Sequence, residues 1–335
     1  MAKASVIGSG SWGTTLAMVL NENGHDVTCY TIEQSTIDDI AEKQENSRYL
    51  PGVKIPPEIT FTLSLEEAVS GADIIVNAVP AQVTRKVVPE VIKYAGNDQA
   101  LWVTVSKGIE NGTYKRISEV IHEAGAVEND RIVVLSGPSH AEEVSRKIPT
   151  AIVSASSNMQ AAETIQKAFM NAYLRIYAND DIIGVELGGA LKNIIALAAG
   201  ICDGAEFGDN TKAALMTRGL VEMNRLGVKL GARSSTFAGL SGMGDLIVTC
   251  MSQHSRNRYV GEQIGKGRTL QQVLDEMVMV AEGVTTTKAA YELARKHGVE
   301  MPITEKVYEV LFEDSSARKA VASLMQRQAK SETWG

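Results

Sequence analysis

The segment "GSGSWG", close to the start of the chain, constrains the fold more than any other feature. It places Gly8, Gly10 and Gly13 at GxGxxG spacing, directly after the β-branched run "KASVIG". Between a strand and a helix, such a loop is typical of dinucleotide-binding folds, where the glycines permit a tight turn, close approach of a pyrophosphate and helix–strand packing. The helix predicted over residues 12–23 would present free N–H groups to that anion. A glycine turn in an unrelated α/β protein is the alternative interpretation.

The first half of the chain alternates short apolar runs with helical patterns. Strands are predicted at "KASVIG", "HDVTCY", "ADIIVNAVP", "LWVTVS" and "RIVVLSG", with "TAIVSAS" and "LRIYAND" as extensions of the same sheet. Strands that are apolar on both faces belong to a parallel sheet covered by helices. The predicted fold is therefore α/β, with an N-terminal Rossmann-type, mostly parallel sheet.

The second half of the chain is predicted to be helical. After residue 181 the strand signal fades, and helical periodicity appears over residues 211–226, 256–264, 285–297 and 301–312. We therefore predict a dinucleotide-binding domain over residues 1–180 and an all-helical substrate and catalytic domain over residues 181–335, with the junction at 179–181.

Charge and composition narrow the classes of partner. The net charge of −7 argues against broad binding of nucleic acid or anionic membranes. No segment reaches the roughly 18 uncharged apolar residues expected of a membrane span. The three cysteines, Cys29, Cys202 and Cys250, are far apart, which favours a reduced, cytoplasmic setting. The five histidines form no HExxH or Cys/His pattern, so no metal site is predicted.

Glu33 is the candidate contact for the adenine ribose. It lies about 20 residues beyond the glycine loop, where an acidic residue accepts from the 2′-hydroxyl of NAD. Thr31 and Ile32 beside it supply no positive charge for the 2′-phosphate of NADP. Glu33 is equally suited to capping the following helix, and the sequence leaves both interpretations open.

Lys192 is an isolated charge in the apolar segment "GVELGGALKNIIALAAG". Burial among apolar groups, or a second cation such as Lys107, lowers the pKa of a lysine toward the range useful for proton transfer. Gly188 and Gly189 are predicted to leave room for a ligand against this helix, with Asn193 as a contact to substrate or nicotinamide. The alternative is a lysine that extends to the surface from a helix edge.

The segment "SRNR" is the candidate anion site. Ser255 is suited to cap a helix and leave free amides at its start, Arg256 can grip a phosphate with two parallel bonds, and Asn257 adds a donor. An exposed, capped helix start is the alternative interpretation.

Three further polar residues are candidates for the same pocket. Asp245 follows "GMG", a predicted flexible loop, and either orients Lys192, accepts from a substrate hydroxyl or caps a helix. Lys107 follows a strand end, where ligands collect in open α/β sheets, although a solvated loop lysine is the alternative. Thr249 is predicted to face this pocket as well.

Many segments, in order along the chain, resemble one family. They include "GSGSWGTTLA", "SKGIE", "SGPSHAEEV", "GVELGGALKNIIALAAGICDG", "GDNTKAALMTRGL", "GMGDLIVTC", "SRNRYVG", "VAEGVTTTKAAYELA" and "EMPITEKVYEVL". Together they resemble the bacterial NAD(P)-dependent glycerol-3-phosphate dehydrogenases, over almost the whole chain. The resemblance implies reversible, NADH- or NADPH-dependent reduction of dihydroxyacetone phosphate to sn-glycerol 3-phosphate, a precursor of glycerophospholipids.

The resemblance also implies roles for particular residues. Lys192 would be the proton donor or acceptor, with Lys107 and Asp245 beside it in the catalytic group. The residues implied at the substrate are Lys107, Gly137, Ser139, Lys192, Asp245, Ser255, Arg256 and Asn257. Those implied at the cofactor, besides the glycine loop, are Ser11, Trp12, Lys107, Ala141, Arg256, Val280 and Glu282. Many members carry a basic residue where this chain has Thr31, Ile32 and Glu33, so a strict NADP preference is not expected.

Two other functions remain compatible with parts of the sequence. A related two-domain hydroxyacid dehydrogenase would use "SRNR" to bind a carboxylate. A dinucleotide-sensing protein without turnover would keep the glycine loop but would need neither Lys192 nor Lys107. The apolar helical faces of the second half suit a homodimer, with a small molecule as the other partner.

Overall fold

A mostly parallel, eight-stranded sheet forms the first part of the protein, in a computed structural model that describes residues 1–329 and 331–332. Its strands are β1 (Lys3–Ile7), β2 (Asp26–Tyr30), β3 (Thr60–Thr62), β4 (Ile74–Asn77), β5 (Leu101–Thr104), β6 (Ile132–Ser136), β7 (Thr150–Ala155) and β8 (Leu174–Asn179). Their order in the sheet is β3-β2-β1-β4-β5-β6-β7-β8. Only β6 and β7 pair antiparallel among these strands. The prediction of a Rossmann-type, mostly parallel sheet is confirmed.

One strand, β3, was not predicted from the sequence. It has three residues and lies at the edge of the sheet, where Thr28 and Tyr30 of β2 pair with Thr60 and Thr62. Backbone pairing with β2 forms this strand, so it lacks the continuous apolar run that identified the other seven.

Helices cover both faces of the sheet. In this part of the chain they are α1 (Ser11–Glu22), α2 (Gln34–Lys43), α3 (Leu65–Val69), α4 (Thr84–Ala95), α5 (Ile117–Gly125), α6 (Ala141–Val144) and α7 (Met159–Phe169). Val6 and Val76 face a core built with α1 and α7, while Ile7 and Ile75 face a second core built with α4 and α5. Successive strand residues point to opposite faces, which is why these strands are apolar throughout.

The rest of the described chain is helical, which confirms the second part of the fold prediction. The helices are α8 (Ile182–Gly204), α9 (Asp209–Lys229), α10 (Ser234–Phe237), α11 (Asp245–Met251), α12 (Arg256–Gly265), α13 (Leu270–Leu274), α14 (Glu282–His297), α15 (Pro302–Phe312) and α16 (Ala317–Met325). The four helices predicted here begin and end within three residues of the observed bounds of α9, α12, α14 and α15. Lys330 and residues 333–335, at the end of the predicted second domain, lie outside the described residues.

Helix α8 is the core of this helical part. It is long and apolar enough to cross a membrane by length and composition, with a mean hydropathy of 1.6 over an 18-residue window, but 83% of that window is buried inside the protein. A Cβ on Gly200 would lie 1.9 Å from the Arg258 carbonyl oxygen, and one on Gly261 would lie 2.0 Å from the Leu197 carbonyl oxygen. These glycines therefore let α8 and α12 pack backbone to backbone, which places Lys192 and "SRNR" on adjoining helices.

Candidate functional site

The glycine loop joins β1 to α1 in the geometry that a dinucleotide requires. Gly8 has a φ of +113°, and a Cβ there would lie 2.9 Å from the Ala78 carbonyl oxygen. A Cβ on Gly13 would lie 2.0 Å from the Gly8 carbonyl oxygen, so the turn and the helix are in direct contact. At Gly10, by contrast, a Cβ would meet no atom within 4 Å. This open space at the N-terminus of α1 fits a pyrophosphate.

The loop lies where the strand order reverses, between β1 and β4. In open α/β sheets, ligands bind outside the carboxyl ends of the strands at such a point. Lys107 follows β5 and Gly137 follows β6 at this same edge. The Thr15 Oγ1 of α1 lies 3.5 Å from the Ala141 carbonyl oxygen, so the start of α6 also borders the first turn of α1, beside the glycine loop.

A cluster of three charged residues, buried Lys192 and Asp245 with half-buried Lys107, lies beside this edge. The Lys107 Nζ donates to Asp245 Oδ2 at 2.6 Å, and the Lys192 Nζ lies 3.0 Å from Asp245 Oδ1. Lys192 also donates to Thr249 Oγ1 at 2.7 Å, and the Thr249 hydroxyl donates to Asp245 Oδ1 at 3.0 Å. Lys107 further donates to the Gly137 carbonyl oxygen at 2.9 Å. Residues predicted from four separate segments thus meet in one network.

Burial and neighbouring charges set the protonation of this cluster. Burial lowers the pKa of the Lys192 ammonium to about 8; Asp245 opposes this shift and Lys107 adds to it. Burial alone would raise the pKa of the Asp245 carboxyl, but Lys107 and Lys192 outweigh it and hold that pKa below its usual value. Two cations around one carboxylate leave a net positive charge in a protein that is acidic as a whole. Such a site suits an anionic ligand.

Ser139 and Asn193 hold the surroundings of Lys107. The Ser139 hydroxyl lies 3.4 Å from the Lys107 Nζ and donates to the Gly137 carbonyl oxygen at 3.0 Å. The Asn193 amide donates to the Lys107 carbonyl oxygen at 3.3 Å and accepts from Asn257 Nδ2 at 2.9 Å. Asn193 therefore fixes the loop after β5 against α8, in addition to any contact with a ligand.

Two expectations about local structure at this site are wrong. A Cβ on Gly188 would lie 2.6 Å from the Ser241 carbonyl oxygen, and one on Gly189 would lie 2.6 Å from Ser136 Oγ. The space beside these two glycines is filled by Ser241 and Ser136, so it leaves no room for a ligand. The segment before Asp245 is a π-helical turn, Leu240–Gly244, that leads directly into α11 and so is not a flexible loop.

The "SRNR" segment forms the start of α12, as predicted. The Ser255 hydroxyl accepts from the Arg258 amide at 3.2 Å and caps the helix. The first amides of a helix have no intrahelical acceptor, so those of Arg256 and Asn257 face the end where an anion is favoured. The Asn257 side chain is engaged on both sides, because it donates to Asn193 and its Oδ1 accepts from the Gly283 amide at 2.8 Å. One of its two amide hydrogens is left for a ligand.

Arg256 joins α12 to the segment before α14, and Glu282 joins α14 to the segment after β4. Arg256 is an exposed residue, and its Nη1 donates to the Val280 carbonyl oxygen at 2.8 Å. Glu282 Oε1 accepts from the Ala81 amide, just after β4, at 2.9 Å. Burial raises the pKa of the Glu282 carboxyl. Met279, beside Val280, has its Sδ 4.0 Å from Ser11 Oγ, so the segment before α14 contacts the glycine loop, and Glu282 contacts the edge where β4 ends.

Four of the eight buried side-chain atoms without a hydrogen-bond partner, among the described residues, surround this site. They are Ser136 Oγ, His140 Nε2, Glu282 Oε2 and Thr286 Oγ1. Burial, with Lys192 and Lys107, lowers the pKa of His140 to about 4, so its imidazole is neutral. Buried polar groups normally have partners, so these four atoms are available to bond a ligand or water in the site. No role was predicted for Ser136, His140 or Thr286, although the first two lie within the quoted "SGPSHAEEV" and Thr286 lies within "VAEGVTTTKAAYELA".

The hydrogen bonds of Glu33 distinguish between its two predicted roles, contact with the adenine ribose and capping of α2. Glu33 occupies the position before α2, but its side chain accepts no hydrogen bond from the helix backbone. Its carboxylate instead accepts from the Tyr49 hydroxyl at 2.7 Å and from the Thr36 hydroxyl at 3.3 Å. The capping interpretation is therefore wrong, and the carboxylate lies beside the end of β2.

Within residues 1–329 and 331–332, no group of three or more His, Cys, Asp or Glu side chains is placed to hold a metal.

A dinucleotide-binding sheet with a lysine–aspartate–lysine cluster at its carboxyl edge is typical of a nicotinamide-dependent dehydrogenase. Family models agree: that for the NAD-dependent glycerol-3-phosphate dehydrogenase N-terminus matches residues 3–162, and that for the C-terminus matches residues 181–322. The chain belongs to the NAD-dependent glycerol-3-phosphate dehydrogenase family.

Individual relatives are similar along the whole chain. A glycerol-3-phosphate dehydrogenase (NAD(P)+) of Bacillus thuringiensis (strain Al Hakam) is 56% identical over 335 residues, covering 99% of this chain and 98% of that protein. The solved structure of a glycerol-3-phosphate dehydrogenase from Coxiella burnetii is 35% identical, with a TM-score of 0.91 over 97% of this chain and 99% of that one. The likeness extends to a Saccharomyces cerevisiae glycerol-3-phosphate dehydrogenase structure, at 25% identity and a TM-score of 0.82, over 97% of this chain and 99% of that one.

Proposed function

We propose that this chain catalyses the reversible, NAD(P)H-dependent reduction of dihydroxyacetone phosphate to sn-glycerol 3-phosphate, which supplies glycerophospholipid synthesis. The observation that carries the proposal is the Lys107–Asp245–Lys192 network at the carboxyl edge of a dinucleotide-binding sheet. Reduction of a ketone needs a hydride at carbon and a proton at oxygen. This network lies where a proton can be delivered next to a bound cofactor.

The cofactor site is proposed at the glycine loop and the facing helical segments. The nicotinamide, when bound, supplies the hydride. Gly8, Gly10 and Gly13 shape the pyrophosphate site, and Ser11 and Trp12 border it at the start of α1. We assign Ala141, Val280 and Glu282 to the same cleft. Ala141 lies beside α1, Val280 follows Met279, which contacts Ser11, and Glu282 accepts from the Ala81 amide after β4.

Lys192 is assigned as the proton donor in reduction and the acceptor in oxidation. Its pKa of about 8 lies near working pH, whereas a lysine in water holds its proton too tightly. As an ammonium it also stabilises the negative charge that develops on the ketone oxygen. Asp245 and Thr249, which are hydrogen-bonded to each other, both contact its Nζ, so the proton is held at a defined place.

Lys107 and the residues around it are assigned to the substrate. Lys107 brings a second positive charge, which lowers the pKa of the Lys192 ammonium and attracts an anionic substrate. Gly137, Ser139 and Asn193 hold Lys107 in place and border the space beside it.

The phosphate of the substrate is assigned to the start of α12. Ser255 caps the helix, Arg256 offers a guanidinium, and Asn257 contributes an amide and one side-chain hydrogen. A positively charged helix start that lies next to the proton donor on α8 favours a phosphorylated ketone over a 2-keto acid.

One assay separates this function from the two alternatives. The absorbance of NADH or NADPH should fall when the protein is mixed with dihydroxyacetone phosphate, and only slowly with an unphosphorylated 2-keto acid. Faster loss with the keto acid would favour a hydroxyacid dehydrogenase. Binding of the reduced cofactor without any loss of absorbance would favour a non-catalytic sensor.

The choice of cofactor gives a further prediction. Because Glu33 places a carboxylate at the end of β2, NADH should be used efficiently, with less than a 100-fold preference for NADPH in kcat/KM, about 2.7 kcal/mol. Glu33→Gln should shift the ratio toward NADPH, since it removes the charge that repels the 2′-phosphate. Steady-state kinetics with both cofactors measure it. A wild-type preference for NADPH of 100-fold or more would contradict this account.

The division of the chain and its setting are also proposed. We place the domain junction between residues 180 and 181, which is supported by the end of β8 at Asn179 and the start of α8 at Ile182. We infer a cytoplasmic homodimer, supported by the reduced, buried cysteines and by exposed apolar residues such as Met243, Ile247 and Met251. Sedimentation equilibrium tests the dimer, which a single species of monomer mass would exclude, and cell fractionation tests the compartment.

A further inference from the structure

The segment after α2 folds back onto the glycine loop. Its anchor is Asn46, whose Nδ2 donates to the Ser9 carbonyl oxygen at 2.7 Å and to Thr14 Oγ1 at 3.0 Å. Asn46 is 1% exposed, and its Oδ1 accepts from the Tyr49 amide at 3.3 Å. The residues that follow Asn46 are therefore held in a fixed place beside the candidate cofactor site.

This anchoring brings Arg48 and Tyr49 to the end of β2. The Arg48 Nη1 lies 3.3 Å from Glu33 Oε1, which also accepts from the Tyr49 hydroxyl at 2.7 Å. The Arg48 guanidinium lies 5.3 Å from the centre of the Tyr49 ring, within the range of a cation–π contact. A positive charge thus reaches the place where Thr31, Ile32 and Glu33 supply none.

Glu33 and Arg48 differ in how firmly their other contacts hold them at the end of β2. The Glu33 carboxylate keeps its Tyr49 and Thr36 hydroxyl donors when Arg48 moves away. The Arg48 side chain is 50% exposed, so its guanidinium has donors that face solvent and can turn toward an incoming anion. Exchange of a carboxylate for a phosphate dianion gives arginine a partner of higher charge with equally suitable geometry.

We propose that Arg48 binds the 2′-phosphate of NADP, while Glu33 accepts from the ribose hydroxyl of NAD. This inference rests on the proposed function, because it assumes that the adenine ribose lies at the end of β2. In the absence of the phosphate, Arg48 is the counterion of Glu33. The pair makes the site usable by both cofactors, since each ligand engages one member and leaves the other with hydrogen-bond partners.

Fragments of the cofactor test this without turnover. Calorimetric titration of the full chain with adenosine 2′,5′-bisphosphate and with 5′-AMP reports binding at the ribose separately from catalysis. Arg48→Ala should weaken binding of the bisphosphate at least about tenfold and that of 5′-AMP less than about twofold, as expected for loss of one charge-assisted contact. Arg48→Lys should retain part of the difference, because it keeps the charge but loses the planar pair of donors.

A matched control comes from the same region. Lys43 ends α2, is exposed, and pairs with Asp39 at 2.7 Å one helical turn away. Lys43→Ala removes the same charge from the surface without touching Glu33, so it should leave both affinities unchanged. The NADPH-to-NADH ratio of kcat/KM should fall in Arg48→Ala in step with the calorimetric difference.

The outcomes are distinguishable. Equal losses for both fragments in Arg48→Ala, or no loss for either, would overturn the assignment of Arg48, as would a Lys43→Ala effect of the same size on the bisphosphate. Failure of the wild-type protein to bind either fragment would contradict the cofactor site itself, and with it the proposed function.

Discussion

Lys192→Ala is expected to lower kcat for the reduction of dihydroxyacetone phosphate by at least about 100-fold, the usual contribution of a positioned general acid. The variant loses the proton donor and the ammonium that stabilises charge on the ketone oxygen. The affinity for NADH should survive, because the glycine loop is formed by β1 and α1 and not by α8. Initial rates at saturating substrate, with fluorescence titration of NADH, measure both quantities.

A control variant separates catalysis from general destabilisation. Lys229→Ala removes a lysine from the exposed end of α9 and should leave kcat unchanged. In Lys192→Ala, Asp245 retains Lys107 as a partner at 2.6 Å, so the buried carboxylate is not left without a cation. Near-normal turnover in Lys192→Ala would remove Lys192 from the mechanism.

Arg256→Ala is expected to act on the substrate phosphate. Hydrogen bonds to charged groups are worth about 1.5–3 kcal/mol, so KM for dihydroxyacetone phosphate should rise at least about tenfold. Unphosphorylated dihydroxyacetone should be a poor substrate of the wild-type protein and should be little affected by the change. The comparison of kcat/KM for the two compounds measures the part of the loss that depends on phosphate.

A second arginine variant is the control for the comparison of dihydroxyacetone phosphate with dihydroxyacetone. Arg268→Ala removes an arginine just beyond α12 that pairs with Glu276 at 2.6 Å, and it should leave both substrates unaffected. Equal losses for the phosphorylated and unphosphorylated compounds in Arg256→Ala would show that Arg256 does not bind the phosphate.

Local sequence patterns predicted much of the fold because they reflect which side chains of a strand or helix are buried. Continuous apolar runs identified every strand that is buried on both faces, and the 3.6-residue period identified the long helices of the second half. The edge strand β3 was missed, since its pairing depends on the neighbouring β2 and not on its own burial. Gly188 and Gly189 were wrongly predicted to leave space for a ligand, because glycines that allow close packing look the same in the sequence.

The network at the site could be predicted only as a set of candidates. Lys107, Lys192 and Asp245 are far apart in sequence, and no periodicity reports that one carboxylate lies between both ammonium groups. Arg48 was equally hidden, because its position depends on the two hydrogen bonds of Asn46 to the glycine loop. Such contacts are tertiary and become visible only when the chain is folded.

The dependence of initial rates on pH tests the central claim, that the buried Lys192 transfers the proton. Its pKa of about 8 predicts that kcat/KM for reduction falls about tenfold per pH unit above pH 8, because the ammonium is required. In the direction of glycerol 3-phosphate oxidation the neutral amine is required, so kcat/KM should rise up to about pH 8 and then level off. Lys192→Arg does not titrate in this range. It should lose most of the activity, and kcat/KM should no longer change with pH near 8 in either direction. Rates without a break between pH 7 and 10, or limbs of the same sign in both directions, would contradict the assignment of Lys192.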